Sequence, residues 1–259
     1  MKMVKPKKHL GQHFLTDQAI ARRIADALET EPGATVIEVG PGKGILTAHL
    51  LERDVHLLPV EIDPESSAYL KQTWPVLKEL LIEDDFLKLD LGKHAGSRFH
   101  VIGNFPYNIS SQIFFRVLEH RDRIPSVVCM IQKEVAERIA SPPGSRTYGI
   151  LSVLLQAYYD ISFLFSVKPG SFFPPPKVTS GVIRLSRNDT HRLSCNEELF
   201  FKVVKVTFNQ RRKMIRNSLK SILLHLDNDF ELLSKRPEQL GVSDFIKLTD
   251  WVESRLKES

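Results

Sequence analysis

The chain contains 259 residues, of which 42% are hydrophobic and 26% are charged. This composition is typical of a folded globular protein and excludes disordered and collagen-like classes, and the length allows one large domain or a domain with a small appendage. Lysine and arginine outnumber the acids by 36 to 31, and the isoelectric point is about 9.1. The basic excess is mild, so its distribution along the chain matters more than its size.

Cysteine and histidine usage excludes two further classes of protein. Cys129 and Cys195 form no repeating pattern that would indicate a disulfide framework or a zinc site. His9 and His13 are four residues apart, but no third ligand accompanies them, and no metal site is predicted. No apolar signal core follows the basic start, and no apolar run is long enough to span a membrane. We therefore expect a cytoplasmic protein without a membrane partner.

Strand-like and helical patterns alternate over residues 1–187. A first helix, with Thr16 as its cap, is predicted to end at Pro32-Gly33. Strands are predicted at 36–39, 56–62, 80–82, 99–102, 126–131, 161–167 and 181–185. Helices are predicted at 45–51, 64–73, 111–118, 134–140 and 148–158. This order predicts an α/β fold with a mostly parallel, Rossmann-like sheet, and the last two strands, which have no helix between them, predict an antiparallel hairpin at one edge.

A glycine-rich loop follows the first strand of this sheet. Gly40, Gly42 and Gly44 have the spacing G-x-G-x-G, which differs from the G-x-G-x-x-G pattern of dinucleotide-binding proteins. Glycine allows a ligand to approach the backbone closely. Acidic residues stand near this loop and after the next two strands: Glu38, Glu61, Asp63, Asp84 and Asp85.

The carboxyl ends of parallel strands meet at one edge of a sheet, so we expect these acids to converge on one cleft. A pyrophosphate would be repelled there, whereas a ligand with a sulfonium and an ammonium group would be attracted. Glu61 has the spacing of an acid that binds ribose hydroxyls, and Asp85 could accept from an adenine amine. The pattern predicts a site for S-adenosylmethionine that includes Glu38, Gly40 and Gly42, although Asp63 and Asp84 could instead be solvated loop residues.

The segment Asn104-Phe105-Pro106-Tyr107 follows a buried strand, and Ser110 and Ser111 could cap the next helix. The Asn104 amide oxygen and the Phe105 carbonyl could accept both hydrogens of one NH2 group. Pro106 stiffens the turn, and Tyr107 offers a flat face for stacking. The segment therefore predicts a corner that holds the amino group of a flipped-out base, with an ordinary strand-to-helix turn as the alternative.

A second aromatic segment lies between the last two predicted strands. Three consecutive prolines at 174–176 predict a stiff, extended backbone. We predict that Phe172 clamps a base from the side opposite Tyr107, with core packing as the alternative, and that Phe173 packs in the core.

Residues 188–259 are predicted to form a small C-terminal helical domain, separate from the domain at 1–187. A polar linker at 188–196 precedes predicted helices at 197–224, 229–234 and 243–256. No acid between Glu198 and Asp227 offsets a basic series that we predict to bind RNA: Lys205, Arg211, Arg212, Lys213, Arg216 and Lys220. On one continuous helix, Arg212, Arg216 and Lys220 would share a face. A merely solvated basic face is the alternative.

Together these segments resemble the bacterial dimethyladenosine transferase family, which modifies small-subunit ribosomal RNA. The resemblance extends nearly end to end, and its markers are the segments 11–15, 38–44, 61–63, 85, 104–109, 172 with 174–178, and 208–213. Three positions depart from the family pattern. His13 stands where the family usually has Asn, Phe105 replaces Leu, and Asp84 replaces Gly.

The resemblance implies a class I methyltransferase sheet and N6,N6-dimethylation of two adjacent adenosines in the 3′-terminal hairpin loop of 16S ribosomal RNA. It also implies a part in ribosome assembly, with the RNA presented in a pre-30S particle. The family's contacts with S-adenosylmethionine fall on Gln12, His13, Leu15, Gly40, Glu61, Asp85 and Asn104. We expect a monomer, because no long apolar seam is visible.

Three alternatives remain open from the sequence. Methylation of a large-subunit RNA adenine is the first, and the segment 208–213 argues against it. A non-catalytic RNA-binding assembly factor is the second, and the presence of Glu61, Asp85 and Asn104 argues against loss of activity. A nicotinamide dehydrogenase is the third, and the acidic cleft and the missing third fingerprint glycine disfavour it.

Overall fold

The computed structural model describes residues 4–223 and 230–258. The chain divides into two compact units. The first comprises residues 1–136 and 161–187, and the second comprises residues 137–160 and 188–259. The predicted boundary after residue 187 coincides with a boundary between the units, but residues 137–160, which we assigned to the first domain, group with the second unit.

Strands and helices are distributed as follows in the described residues. The strands are β1 (Phe14–Leu15), β2 (Ala34–Val39), β3 (Val55–Val60), β4 (His100–Asn104), β5 (Ser126–Gln132), β6 (Tyr159–Val167), β7 (Phe172–Phe173) and β8 (Ser180–Arg187). The α-helices are α1 (Gln18–Asp26), α2 (Ile45–Leu51), α3 (Pro64–Thr73), α4 (Leu77–Leu80), α5 (Leu91–Ala95), α6 (Ser110–Glu119), α7 (Lys133–Ala140), α8 (Ile150–Gln156), α9 (Glu197–Asn209), α10 (Ile215–Leu219) and α11 (Val242–Glu258). Short 3₁₀ turns occupy Lys8–Leu10, Pro169–Ser171, Glu231–Ser234 and Pro237–Gln239. Across 4–223 and 230–258, no helix combines the length and the apolar character needed to cross a bilayer.

The central sheet of the first unit has six strands in the order β3-β2-β4-β5-β8-β6. Strands β3, β2, β4 and β5 pair in parallel, whereas β8 pairs with β5 in the antiparallel sense. Strand β6 lies beyond β8 at the edge. The predicted α/β class, with a mostly parallel sheet and one antiparallel edge, is confirmed. Because β2, β3 and β4 are parallel, the loops that follow them leave the same edge of the sheet.

The core of this unit lies between the sheet and the helices α1 and α2. Ile24 of α1 and Leu50 of α2 are almost fully buried, and they belong to one apolar cluster with Val36, Ile102 and Val128 of the sheet. Strands β2, β4 and β5 are buried over most of their length, because both faces of a parallel sheet are covered. This packing holds the strand ends, and therefore the loops, in fixed positions.

Three local predictions are wrong in detail. Residue Asp17, not Thr16, caps α1 by accepting from the Ile20 N–H, while the Thr16 hydroxyl donates to the Ser171 carbonyl. Helix α6 has no side-chain cap. The strand predicted at 80–82 is reduced to one bridge between Ile82 and Val60, because Leu80 ends helix α4.

The second unit is helical, but its longest predicted helix is interrupted. Helix α9 ends at Asn209, and α10 begins only at Ile215, whose N–H donates to the Lys235 carbonyl instead of continuing the earlier helix. The expected common face of Arg212, Arg216 and Lys220 is therefore wrong. Positions 224 and 229, the predicted ends of two helices, lie outside the described residues.

Helix α8 explains why residues 137–160 belong to the second unit. It contacts α9 and α11. The Tyr148 ring beside it packs at 6.2 Å from the Phe208 ring, and Phe208 stacks at 5.9 Å on Phe245. A local strand–helix pattern does not reveal such long-range aromatic packing, so the sequence placed this segment with its chain neighbours.

Helix α2 begins at a glycine that the packing requires. Gly44 precedes it with φ of 75°, and a Cβ there would stand 2.6 Å from the Cη2 of Trp74 and 2.9 Å from the Cδ2 of Leu70. Gly33 has the same φ of 75°, but a Cβ on it would meet no atom within 4 Å. Alanine at either position would adopt the same left-handed backbone, but only alanine at position 44 would also clash with neighbouring side chains.

We expect Gly44→Ala to lower the free energy of unfolding by more than Gly33→Ala. Both variants incur roughly 1–2 kcal/mol for a left-handed alanine, and Gly44→Ala adds about 1–3 kcal/mol of overpacking. Urea unfolding of both variants measures the difference. Equal destabilisation would contradict the packing of Trp74 against the loop.

Candidate active site

A cavity of about 300 Å³ opens at the carboxyl ends of β2, β3 and β4. It is lined by residues 9–15, 24, 38–43, 45–46, 60–62, 84–87 and 104–109, all of which belong to the first unit. The parallel sheet explains most of this convergence, because the segments that follow β2, β3 and β4 leave the same edge. A volume of this order suits a small organic ligand.

The cavity brings together most of the residues that we predicted for the cofactor and the base. Those that line it are Gln12, His13, Leu15, Glu38, Gly40, Gly42, Glu61, Asp85, Asn104, Phe105, Pro106 and Tyr107. Phe172 is not among the lining residues, and the predicted RNA-binding residues lie in the second unit.

The glycine loop is held by the carboxylate of Glu61. The N–H of Gly42 donates to Oε2 at 2.9 Å, and the N–H of Asp63 donates to Oε1 at 2.9 Å. Burial raises the pKa of Glu61, and these two hydrogen bonds oppose that rise. Gly40 and Gly42 have φ of 66° and 58°, a conformation that glycine adopts without strain. The loop backbone therefore lies against the wall of the cavity.

Glu38 contributes less charge to the cavity than we expected. Its carboxyl is buried and accepts a hydrogen bond of 2.7 Å from the Thr47 hydroxyl. Burial raises the pKa of Glu38 to about 8, the Thr47 hydrogen bond opposes the rise, and the nearby Glu61 adds to it. At neutral pH this carboxyl is mainly protonated, so it acts as a neutral polar group.

Asp63 does not belong to the acids that line the cavity. Its buried carboxylate contacts the Lys7 ammonium at 2.5 Å and the Ser66 hydroxyl at 2.8 Å, and accepts from the Gln12 amide at 3.3 Å. Burial opposes ionisation, but these hydrogen bonds prevail and lower the pKa of Asp63. It also caps α3 by accepting from the Glu65 N–H. Asp63 is therefore a structural anchor for the N-terminal segment.

Asp84 and Asp85 belong to the segment 84–87 of the lining. The N–H of Asp85 donates to Asp84 Oδ1 at 2.7 Å, and the Asp85 carboxylate accepts from the Leu87 N–H at 3.0 Å. Asp84 is exposed and Asp85 is half-buried. The aspartate at position 84 thus supports the local turn, and the charged acids that line the cavity are Glu61, Asp84 and Asp85.

The amide of Asn104 is oriented by the N-terminal segment. Its Nδ2 donates to the His13 carbonyl at 2.9 Å, so its Oδ1 is the end that remains for a donor. The N–H of Phe105 donates to the Met130 carbonyl at 3.0 Å, and the Phe105 ring is buried against Phe114. Two hydrogen bonds donated to neighbouring backbone carbonyls therefore fix this corner.

The ring of Tyr107 is fixed from two directions. Its hydroxyl lies 2.6 Å from the Ser180 hydroxyl, and its ring stacks on the His13 ring with centroids 5.7 Å apart. Burial raises the pKa of the Tyr107 phenol against the opposing effect of Ser180. His13 Nδ1 also lies 2.8 Å from the Pro174 carbonyl. His13 thus covers one face of Tyr107 and joins it to the proline-rich segment.

The adjacent phenylalanines have the opposite environments to those that we predicted. Phe172 is only 4% exposed and belongs to the apolar core cluster, whereas Phe173 is 55% exposed. The cause is the pairing of β1 with β7, which places Phe172 opposite Leu15 and Phe173 opposite Phe14. Phe172 offers no open ring face in this structure, so its assignment as a clamp for the base is wrong here.

The basic residues of the second unit divide into two groups. Arg211 Nη2 donates to the carbonyls of Ser145 and Arg146 at 3.3 and 2.5 Å, and the Arg211 Nε lies 4.0 Å from Glu238. Arg211 therefore holds the loop before α8. The other predicted residues are mostly exposed: Lys205, Arg212, Lys213 and Lys220 are exposed, and Arg216 is half-buried.

Three residues of the site were not predicted. Lys7 pairs with Asp63, Lys43 lines the cavity beside two aromatic rings, and Ile62 lines it with 52% of its surface exposed. The sequence does show an apolar residue, Ile62, directly after Glu61, and this neighbour of a predicted cofactor ligand could have been assigned to the site. The positions of both lysines depend on distant segments that only the tertiary structure brings close.

Sequence comparison identifies the relatives of this chain. Residues 3–239 match the family model described as ribosomal RNA adenine dimethylase. A protein of Bacteroides thetaiotaomicron named ribosomal RNA small subunit methyltransferase A is 57% identical, and the match covers 99% of this chain and 97% of that protein. A protein of Flavobacterium johnsoniae with the same name is 53% identical, with 98% of each chain covered.

Solved structures give the same classification. A dimethyladenosine transferase from Plasmodium falciparum superimposes with a TM-score of 0.79 and 25% identity, covering 94% of this chain and 98% of that one. The 23S rRNA methyltransferase ErmE superimposes with a TM-score of 0.68 and 27% identity, covering 92% and 99%. The predicted class I methyltransferase fold is thereby confirmed. This chain belongs to the ribosomal RNA adenine dimethylase family.

Proposed function

We propose that this protein transfers methyl groups from S-adenosylmethionine to N6 of two adjacent adenosines in the 3′-terminal hairpin loop of 16S ribosomal RNA. The observation that carries the proposal is the shared cavity of Glu61 and Asp85 with the Asn104–Tyr107 corner. The names of the relatives, which specify the small ribosomal subunit, support the choice of RNA.

The lining of the cavity fits a cationic nucleoside donor. Glu61 and Asp85 provide acceptors for ribose hydroxyls and for an adenine amine, and the exposed apolar surface of Ile62 can pack on a planar base. Gln12, His13 and Leu15 close the N-terminal side. When bound, S-adenosylmethionine supplies a methyl group on a sulfonium, whose positive charge the carboxylates favour.

The residues of the corner are arranged to orient an exocyclic amine. The lone pair of that amine is delocalised into the adenine ring, so the nitrogen is a weak nucleophile. The Asn104 Oδ1 and the Phe105 carbonyl can accept its two hydrogens and favour a pyramidal nitrogen. Positioning of this kind can contribute on the order of 7–11 kcal/mol to catalysis. No strong base is needed before attack, because the nitrogen becomes acidic only as it is methylated.

Aromatic and apolar groups hold the base itself. The face of Tyr107 that His13 does not cover can stack on adenine, which is a typical way of holding a flipped-out base. The buried Phe105 ring and the rigid Pro106 prevent the corner from relaxing. A dry pocket also favours the transfer, because the positive charge of the sulfonium is spread over sulfur, methyl and nitrogen in the transition state. The methylated nitrogen then carries that charge and releases it as a proton to solvent.

The second unit supplies a basic surface for the RNA backbone. Arg212 and Lys213 are exposed in the turn between α9 and α10, and Lys205 and Lys220 are exposed nearby in the chain. Basic side chains of this kind bind phosphates and make affinity depend on salt. We assign RNA binding to these residues and to Arg216, with Arg211 acting through the loop that it holds.

The substrate is proposed to be a pre-30S particle in the cytoplasm, bound by a monomer of this protein. The test is incubation of small and large ribosomal subunits from an unmodified strain with the protein and labelled S-adenosylmethionine, followed by mass spectrometry of the nucleosides. N6,N6-dimethyladenosine in small-subunit RNA is expected. Label in large-subunit RNA would favour the activity named for ErmE, and absence of label with retained RNA binding would indicate a non-catalytic assembly factor.

We expect Glu61→Gln to weaken binding of S-adenosylmethionine roughly 10–100-fold, since hydrogen bonds to a charged group contribute about 1.5–3 kcal/mol. Glu38→Gln is the matched control. Because the pKa of Glu38 is about 8, its carboxyl is already protonated at pH 7, and the change should be less than about threefold. Calorimetry at pH 7 measures the donor affinity of both variants. Equal losses of affinity would contradict the assignment of a charged Glu61 and a neutral Glu38.

We expect Asn104→Ala to reduce methyl transfer by at least about 100-fold, a loss typical of removing one group that stabilises a transition state. Donor affinity should fall much less, because Glu61 and Asp85 remain. Single-turnover kinetics and calorimetry separate the two effects. Transfer within a few-fold of the unsubstituted protein would refute the role of the amide.

We expect Arg212→Ala combined with Lys213→Ala to weaken RNA binding and to reduce the slope of log K against log salt by about 1.4–1.8. Arg211→Ala should instead lower the unfolding free energy by about 1 kcal/mol, because it leaves two carbonyls without their donor. Filter binding at several salt concentrations and thermal unfolding distinguish the two. An unchanged salt slope for the double variant would show that Arg212 and Lys213 do not contact RNA phosphates.

A further inference from the structure

Lys43 is the cationic side chain of the glycine loop, and two aromatic rings hold it. Its Nζ lies 5.1 Å from the centroid of Phe14 and 5.6 Å from the centroid of Phe173. These rings are opposite each other in the pairing of β1 with β7. Both distances are within the range of cation–π attraction. The ammonium is therefore held in one region at the lining of the cavity.

This ammonium differs in charge and in partners from the rest of the cavity. The charged acids of the lining are Glu61, Asp84 and Asp85, whereas Lys43 contacts ring faces and, within residues 4–223 and 230–258, forms no ion pair. The sulfonium and ammonium groups of the donor gain nothing from a lysine, which leaves only its carboxylate as a possible partner. An unpaired ammonium here is instead suited to an anionic group of the other substrate.

A continuous series of contacts joins Lys43 to the corner that receives the base. Phe173 precedes Pro174, whose carbonyl lies 2.8 Å from His13 Nδ1. The His13 ring in turn stacks on Tyr107. Phe173 is 55% exposed and offers surface to a nucleic-acid strand, and Lys43, His13 and Tyr107 line the same cavity. Exposed aromatic faces beside cations are the usual means of binding single-stranded nucleic acid.

We propose that Lys43 binds a backbone phosphate next to the target adenosine and so positions the RNA strand over the cavity. Phe14 and Phe173 hold the ammonium for this contact. The proposal rests on the proposed function, because it assumes an RNA strand whose base enters beside Tyr107. It assigns Lys43 to the RNA and not to the methyl donor.

The test compares Lys43→Met, Lys43→Arg and the control Lys78→Met, which removes an exposed lysine of α4 outside the cavity. The substrate is unmethylated small ribosomal subunits. We expect Lys43→Met to raise the KM for subunits about tenfold with kcat within twofold, and to reduce the salt slope of binding by about 0.7. Lys43→Arg should restore most of the affinity, and Lys78→Met should change neither quantity.

Donor affinity is measured on the same variants by calorimetry, and thermal unfolding verifies that they fold. Unchanged KM and salt slope in Lys43→Met would overturn the phosphate contact. Weaker donor binding with an unchanged KM for subunits would also overturn it, because Lys43 would then bind the carboxylate of the donor. If the unsubstituted protein transferred no methyl group, the proposed function would fail. The salt slope of RNA binding would still test whether Lys43 contacts a phosphate.

Discussion

The carboxylate of Glu61 accepts backbone hydrogen bonds from Gly42 and Asp63, and the geometry of the cavity depends on this interaction. One oxygen holds the glycine loop after β2, and the other holds the turn that leads into α3. A buried carboxylate is unfavourable unless it is hydrogen-bonded. The same two bonds therefore stabilise the charge and keep the loop backbone against the cavity wall, where a ligand can approach it.

The N-terminal segment is joined to the sheet by contacts that also shape the reaction corner. The ion pair of Lys7 with Asp63 holds its start, and the His13 carbonyl accepts from the Asn104 amide. Because the amide nitrogen is occupied, the orientation of Asn104 is decided before any substrate arrives. The N-terminal segment, which closes one side of the donor site, thus also orients the Asn104 Oδ1 that is proposed to accept from the adenine amine.

Fewer acids contribute net negative charge to the site than the sequence contains near it. Glu38 is mainly neutral near pH 7 because it is buried close to Glu61, and the charge of Asp63 is balanced by Lys7. The remaining acids, Glu61, Asp84 and Asp85, line the cavity, and the exposed Lys88 lies 3.8 Å from the Asp85 carboxylate. A negative interior with Lys43 beside exposed Phe173 separates two regions, one suited to a cationic donor and one suited to a polyanionic strand.

The alternation of strands and helices, the edge of the sheet that carries the site and most residues of the cavity can be predicted from the amino-acid sequence. They follow from local apolar patterns and from the common direction of parallel strands. The folded structure, in contrast, determines that Phe172 is buried and Phe173 exposed, since their environments depend on pairing with residues 14–15. It also decided that Arg211 binds the loop at 145–146 and that residues 137–160 pack with the second unit. Each of these outcomes depends on partners far away in the chain, which local periodicity does not encode.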